Sequence, residues 1–489
     1  MDQVKVIFRS FPPAPSITKS TKQYDSAIKQ HLSALSKLSH EERVTIFSKP
    51  AAILKVLNPA VNSIGYLTIL DMVLDGKAEA AKHGEILDKT IEFLIKFDVC
   101  QVRYVMMGFF SLLQKVGAGH LFSPLVATEL LATAILRLDP SGSMFTPAHL
   151  VLARLAYTTN SVEPALKALD ADILVYPNMS GSKEARFLCD PDIPPSAFMP
   201  PSPGLPDQPK SAPILEYNLL RGLIYISRRD WPKARAALEQ VITHPSKERG
   251  VSRMMTDAHK KWVLVGLMHQ GKAPSLPPYT NPAAQSGYQA LSVPYTAIAN
   301  LFSTDKTVEL KAEVEANRQA WEDDGNASLV AEVMAAYQKW QIINLRRIYQ
   351  RVSIAEVRRT TLSAETGEPL ADDQTTVALV REMIESGMLN GEIQAGQGGG
   401  ESYLAFGDNQ SLMSEVEFAA EVARSHHSIQ ALSQQYRLAN ERLSGSKDYA
   451  RYICREQRRA EMEREADAAV GFEAQIEDED LMTGVLAHT

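Results

Sequence analysis

The chain has 489 residues, 45% hydrophobic and 22% charged, the balance of a globular protein too long for one ordinary core. Its net charge of −7 gives no reason to expect a polyanion or an anionic membrane as partner, and its longest nearly apolar run, Tyr104–Leu113, is too short to cross a bilayer. Three cysteines, Cys100, Cys189 and Cys454, lie far apart with no Cys-x-x-Cys, so no disulfide framework or zinc finger is implied and a reducing compartment, cytoplasm or nucleus, fits best.

Residues 1–22 are Pro- and Ser-rich with little periodicity and read as a flexible lead-in, with neither a signal-peptide nor a myristoylation pattern at Met1-Asp2-Gln3. Residues 23–175 read as helical repeats. Tyr24, Ile28, Leu32, Leu35 and Leu38 mark a first amphipathic helix, and Ser39-His40-Glu41-Glu42 has the spacing of a capping box opening a second. Helical patterns follow at about 61–75, 85–98, 100–116, 122–137 and 147–159, broken at Asp75-Gly76 and Gly117–Gly119. Short helices in antiparallel pairs over such a length predict an α-solenoid, in which each pair buries its apolar face on the next.

Residues 176–213 hold ten prolines, with Met199-Pro200-Pro201-Ser202-Pro203-Gly204 near the centre. Proline removes backbone donors and restricts its predecessor, so the segment reads as an extended loop; as composition it also fits a ligand of a proline-binding module. Helical repeats resume over 214–340, beginning with Glu216–Ser227 and Pro232–Thr243. Gly222, Tyr225, Ala234, Leu238, Val241 and Pro245 fall near the spacing of a tetratricopeptide-type hairpin, where small residues let two helices approach closely. Further helices are expected at about 251–269, 284–303, 306–321 and 326–340.

Residues 341–408 read as a winged helix. Ile342, Leu345, Ile348 and Tyr349 give an amphipathic helix over Gln341–Arg351, which Val352-Ser353 breaks; Ile354, Val357 and Leu362 suggest a second; Thr375–Ser386 makes a third. Gly391–Gln397, a Gly-Gly-Gly turn at 398–400 and Ser402–Phe406 then read as a two-stranded wing. From Gln341 to Gln410 six Arg and no Lys stand against ten Asp or Glu, a net −4, and the third helix sets Arg381 against Glu382 and Glu385. A helix that reads DNA needs basic residues to neutralise phosphates, so this wing is expected to meet protein; nucleic acid is the weaker alternative, for which Arg346, Arg347, Arg351, Arg358 and Arg359 would serve. Tyr403, Leu404, Ala405 and Phe406 are the expected subunit interface at the wing, as a sheet edge open to strand addition.

Residues 411–466 read as C-terminal helices. Leu412, Val416, Ala419, Ala423, Ile429, Leu432, Tyr436, Ala439 and Leu443 keep a three-four rhythm, an apolar seam that needs partners and is the second expected interface; packing back on the chain's own solenoid is the alternative. Tyr449–Glu465 mixes Arg with Glu as an exposed helix with spaced ion pairs would, and 467–489 is an acidic tail.

No catalytic constellation emerges. The adjacent His426 and His427 point about 100° apart on a helix and do not share a metal easily. Gln397-Gly398-Gly399-Gly400-Glu401-Ser402 lacks the Gly-Lys-Ser/Thr of a phosphate loop, and neither His-Glu-x-x-His nor Gly-x-Ser-x-Gly occurs. The chain is expected to be no enzyme and to need no metal or cofactor.

Asp257-Ala258-His259-Lys260-Lys261-Trp262-Val263-Leu264-Val265-Gly266-Leu267, Gly271-Lys272, Leu276-Pro277-Pro278-Tyr279-Thr280, Pro294–Ala299, Phe302-Ser303-Thr304, Leu223–Ile226 before Trp231, Val352-Ser353-Ile354 and Met383–Gly387 resemble the PCI-domain proteins. These are shared by the proteasome lid, the COP9 signalosome and translation initiation factor three, with the signalosome branch nearest. The resemblance runs from about 214 to 408 and is architectural before that; the loop at 176–213 and an insertion at Ala364–Asp373 depart from it. It implies an all-α solenoid ending in a winged helix with a small β-wing. It implies a scaffold role in a complex that removes Nedd8 from cullin-RING ligases, with subunits 1 and 8 as neighbours, a metalloprotease subunit pair reached through a helical bundle, and cullins met indirectly. The metalloprotease motif, two histidines one residue apart with a downstream Ser and Asp, is not in this chain. A lid or initiation-factor subunit, or a nucleic-acid-binding winged helix, is the alternative.

Overall fold

The computed structural model describes residues 2–11, 21–75, 84–176, 187–190, 193, 211–245, 251–395, 401–407, 414–445, 447, 449–455, 457–458 and 461–462. It falls into two units, one of residues 1–178 and 184–412 and one of 179–183 and 413–489. The Gly-Gly-Gly turn, Leu412, the acidic tail and most of the Pro-rich loop lie outside the described residues.

The larger unit is helical with one small sheet. Its first stretch contains α1 (Asp2–Arg9), α2 (Thr21–Ser36), α3 (His40–Ser48), α4 (Pro50–Leu54), α5 (Ser63–Asp75), α6 (Gly84–Lys96), α7 (Val99–Val102), α8 (Met106–Gly117), α9 (Pro124–Leu138), α10 (Pro147–Thr159) and α11 (Leu166–Leu169). The capping box at Ser39 forms, with Glu42 N–H donating to Ser39 Oγ and Ser39 N–H to the Glu42 carboxylate. A flexible lead-in is not what residues 2–11 make: α1 puts Phe8 and Phe11 in the first core, where Phe11 stacks on Tyr24 and His31. Burial of these two phenylalanines anchors two helical turns that carry no longer periodic signal.

The second stretch contains α12 (Ser211–Ser227), α13 (Trp231–Ile242), α14 (Arg253–Gln270), α15 (Pro282–Leu291), α16 (Val293–Phe302), α17 (Thr307–Ala316), α18 (Arg318–Asp323) and α19 (Ala327–Leu345). The expected helices at 284–303 and 306–321 are each two: Pro294 sits in the first turn of α16, and Asn317 ends α17. Helix α12 serves two cores, Tyr217 and Ile224 facing the first and Leu215 and Tyr225 the second. At the α12–α13 crossing a Cβ on Gly222 would lie 2.7 Å from Leu238 Cδ2, the close approach its small residue predicts. Tyr225 OH then donates to Leu169 O at 2.9 Å, tying the two stretches together.

Polar groups pin the stack where the apolar surfaces end. Lys260 Nζ holds both Asp324 oxygens at 2.7 Å, Tyr295 OH donates to the same carboxylate at 2.8 Å, and Asn326 Nδ2 donates to Tyr295 OH at 2.7 Å. Burial pushes the Asp324 carboxyl up, and these bonds together hold it below the usual range. Of the Pro-rich segment, Phe187–Asp190 is fastened to the stack: Arg103 donates to the Leu188 and Asp190 carbonyls, and Cys189 N–H donates to Tyr104 OH at 3.1 Å.

The winged helix follows without a break. Helix α19 runs through the expected start at Gln341, and the segment read as its end and a break is β1 (Arg351–Ser353). Then come α20 (Ile354–Thr360), α21 (Asp373–Glu385), β2 (Gly391–Gln394) and β3 (Tyr403–Phe406). Ser353 caps α20 and Asp372 caps α21. Ile342, Val352, Ile354, Val357, Val380, Met383, Leu389 and Leu404 form its core.

Gly271 ends α14 at φ +66°, and a Cβ there would meet Trp340 Cδ2 at 2.4 Å. Gly271→Ala is therefore expected to cost about 2–4 kcal/mol, read as a fall of several degrees in the thermal midpoint; an unchanged midpoint would show that Trp340 yields. Three histidines predict a pH dependence. Burial holds His31, His149 and His259 each down at about 4, with Arg221 adding to the effect at His149. Between their ordinary value of 6.5 and 4 the unfolded chain takes up protons that the folded chain refuses. Stability is thus full above pH 6.5 and is lost as pH falls toward 4, at about 1.4 kcal/mol per pH unit for each histidine. His259 stacks on Tyr288 at 4.4 Å and bonds Ser292 Oγ at 3.0 Å, so His259→Phe, which keeps the stack, should make the fall shallower.

Candidate subunit interfaces

The sheet order is β1-β3-β2, both pairs antiparallel. Arg351 pairs with Ala405, Val352 with Leu404 and Ser353 with Tyr403 on one side; Gly391 pairs with Phe406, Glu392 with Ala405, Ile393 with Leu404 and Gln394 with Tyr403 on the other. Tyr403, Leu404, Ala405 and Phe406 are therefore the central strand and not an edge, which corrects the sequence reading. The Phe406 and Gly407 amides show the alternation, donating in opposite directions to Gln350 O and Asn390 O, each at 3.0 Å. By the same alternation the backbone groups directed away from β3 belong to Gly391 and Ile393 on β2 and to Arg351 and Ser353 on β1. Strand addition has those two short edges to work on.

Three arginines of the module are engaged close to home. Arg358 Nε lies 3.3 Å from Asp373, joining α20 to α21, and its Nη1 donates to Ala371 O. Arg359 bonds Glu356 at 2.7 Å, and the Arg351 guanidinium sits 4.6 Å over the Tyr403 ring. Helix α21 begins at Asp372 and Asp373 and exposes Glu382, which takes Lys339 from α19 at 2.7 Å. The helix that would enter a DNA groove thus presents carboxylates to it. An open groove of about 460 Å³ between α20, α21 and Ser402 is lined by Asp373, Arg381 and Glu401 with Ile354 and Val377, and it pairs no nucleophile with a base. Among the described residues no three His, Cys, Asp or Glu side chains gather where a metal would sit, and no described helix is long and apolar enough to cross a membrane.

The second surface is α22 (Glu415–Ser444), a helix of 30 residues opened by a capping box between Ser414 and Glu417. It is not the single seam expected. At 100° per residue, Val416, Ala419 and Ala423 stand about 150° around the helix from Ile429, Leu432, Tyr436 and Leu443. Phe418 and Val422, which the sequence reading passed over, complete the latter face. Phe418, Val422, Ile429, Leu432, Tyr436 and Leu443 are all between 48% and 72% exposed, and Val416 is 79% exposed. Local support for the helix comes from its capping box and from the Arg424–Glu421 ion pair at 2.6 Å, while this apolar face is left exposed. His426 lies beside that face and touches Gln430 at 3.1 Å, a contact within its own helix. The Tyr449–Arg455 stretch is also helical, and its Tyr449 and Tyr452 rings stack.

A repeat stack running into a winged helix through one continuous helix, followed in the chain by a long helix, is the architecture that the PCI resemblance implies. Comparison with known proteins narrows this. A model of COP9 signalosome complex subunit 3, N-terminal helical repeats, matches residues 22–190 and 204–284. COP9 signalosome complex subunit 3 of Neurospora crassa is 36% identical over the whole of both chains. That of Emericella nidulans is 29% identical over 64% of this chain and 65% of its own, and that of Arabidopsis thaliana 25% identical over 67% and 70%. The chain belongs to the COP9 signalosome subunit 3 family.

The strand order predicts amide exchange. In the chain purified alone, Leu404 and Ala405 amides, bonded within the sheet, should exchange far more slowly than those of Gly391 and Ile393. Equal protection would mean that the β2 edge is already covered.

Proposed function

We propose that this chain is a non-catalytic scaffold subunit of the COP9 signalosome, supporting removal of Nedd8 from cullin-RING ligases by placing other subunits. The observation that carries the reading is a pair of open surfaces: two short sheet edges on the winged helix and the exposed apolar face of α22. Full-length similarity to a protein named for its place in that complex supports it. In this reading the module at 341–408 meets neighbouring winged helices, subunits 1 and 8 by family expectation, through Gly391 and Ile393 or Arg351 and Ser353. The residues from Phe418 to Leu443 join a helical bundle that reaches the metalloprotease pair, which supplies the chemistry, and cullins are met indirectly. Free thiols at Cys100, Cys189 and Cys454 suit cytoplasm and nucleus.

Native mass spectrometry of the tagged chain from its own cells, beside Ile429→Asp/Leu432→Asp and a version ending at Gln410, tests it. Signalosome subunits on the full chain, with their loss or marked weakening on both variants, are expected. Proteasome-lid or initiation-factor subunits, or an unaccompanied chain, would overturn the assignment.

A further inference from the structure

On α22 the exposed apolar face obeys a strict heptad. Phe418, Val422, Ser425, Ile429, Leu432, Tyr436, Ala439 and Leu443 follow one another at alternating steps of four and three across the observed helix. A spacing of 3.5 residues is that of a left-handed coiled coil, with Val422, Ile429, Tyr436 and Leu443 at a and Phe418, Ser425, Leu432 and Ala439 at d. This pattern is also its own antiparallel complement. Turned about a two-fold axis between residues 430 and 431, every a position meets a d position of a second copy. Phe418 meets Leu443, Val422 meets Ala439, and Ile429 meets Leu432 at the centre.

The polar positions obey the same operation. Ser425 interrupts the apolar face, and the residue brought opposite it is Tyr436, whose ring fills the space beside a small side chain and whose hydroxyl suits a serine hydroxyl. His426 meets Ser433 on the flank. A parallel pair would instead set Ser425 on Ser425 and Tyr436 on Tyr436, leaving one layer underfilled and crowding another.

We propose that, before it joins other subunits, the chain pairs with a second copy of itself through α22 as an antiparallel coiled coil over Phe418–Leu443. This rests on the reading above that α22 is an association surface, and it adds an occupant: a second copy covers the face that assembly must later uncover. Self-pairing is isologous and closed, so it ends at two chains.

The test uses the full chain made alone in bacteria, with p-benzoylphenylalanine at position 418, where the native side chain is 60% exposed. Isotope-labelled and unlabelled chains are mixed before irradiation, so that cross-links between copies are recognised by mass. The expected product is a covalent dimer whose link maps to the neighbourhood of Leu443 in the other copy. Sedimentation of the unmodified chain should show twice the chain mass, and of Ile429→Asp a tenfold or greater weakening. A cross-link near position 418 of the other copy, or a link only within one chain, would overturn the proposal. So would a single chain at all concentrations to about 50 μM. A single chain that still recovers signalosome subunits from its own cells would sink self-pairing and leave the scaffold reading standing; a dimer that recovers none would do the reverse.

Discussion

Helix α19 is the constraint on which the two halves of the larger unit depend. Its first turns put Leu329, Val330, Val333, Met334 and Tyr337 into the core of the repeats, and its last put Ile342 into the core of the winged helix. One uninterrupted run of backbone hydrogen bonds therefore belongs to two cores, and neither can rotate about the helix axis without dragging the other's side chains. Trp340 adds a flank at the turn after α14, where Gly271 leaves it room. The winged helix is for this reason an extension of the stack and not a module on a tether, and its free edges take their direction from the repeats.

The polar cluster around Asp324 works toward the same end. Lys260, Tyr295 and Asn326 come from α14, α16 and the cap of α19, so one satisfied carboxylate registers three helices against each other just before the two cores meet. Apolar packing alone tolerates sliding of one helix on another; a carboxylate that takes Lys260 and the Tyr295 hydroxyl, with Asn326 donating to that hydroxyl in turn, does not. The three buried histidines are held neutral chiefly by the absence of water, with Arg221 adding its charge at His149.

Much of this was legible in the chain because an amphipathic helix writes its buried face every three or four residues, and most helices from Thr21 to Leu345 do so. The illegible parts share a cause, which is that their placement is set by partners distant in sequence. Strand β1 is three residues, Arg-Val-Ser, too few to show alternation, and it becomes a strand only because Tyr403–Phe406 lies beside it some fifty residues later. Without β1, the strand Tyr403–Phe406 looks like an edge. The joints at Ser292 and Asn317 were hidden because the apolar rhythm continues across them. On α22, Val416, Ala419 and Ala423 keep as good a rhythm as Phe418 and Val422, and alanine, at home on either face, lets two seams read as one. Helix α1 is short and precedes a proline run, so nothing local announced that Phe8 and Phe11 would be covered.

The short edges of the sheet have a consequence for how such a subunit is taken up. Each edge offers a partner only two residues' worth of outward backbone, and a net hydrogen bond contributes about 1 kcal/mol, so strand pairing alone holds a neighbour weakly. A chain that also carries α22 adds a second grip through a covalent tether, and two weak grips on one body multiply where they would otherwise add. On the proposed scaffold reading, uptake then becomes a coincidence test. A foreign strand that fits the edge, or a foreign helix that fits the seam, is released quickly, and only a neighbour presenting both is retained.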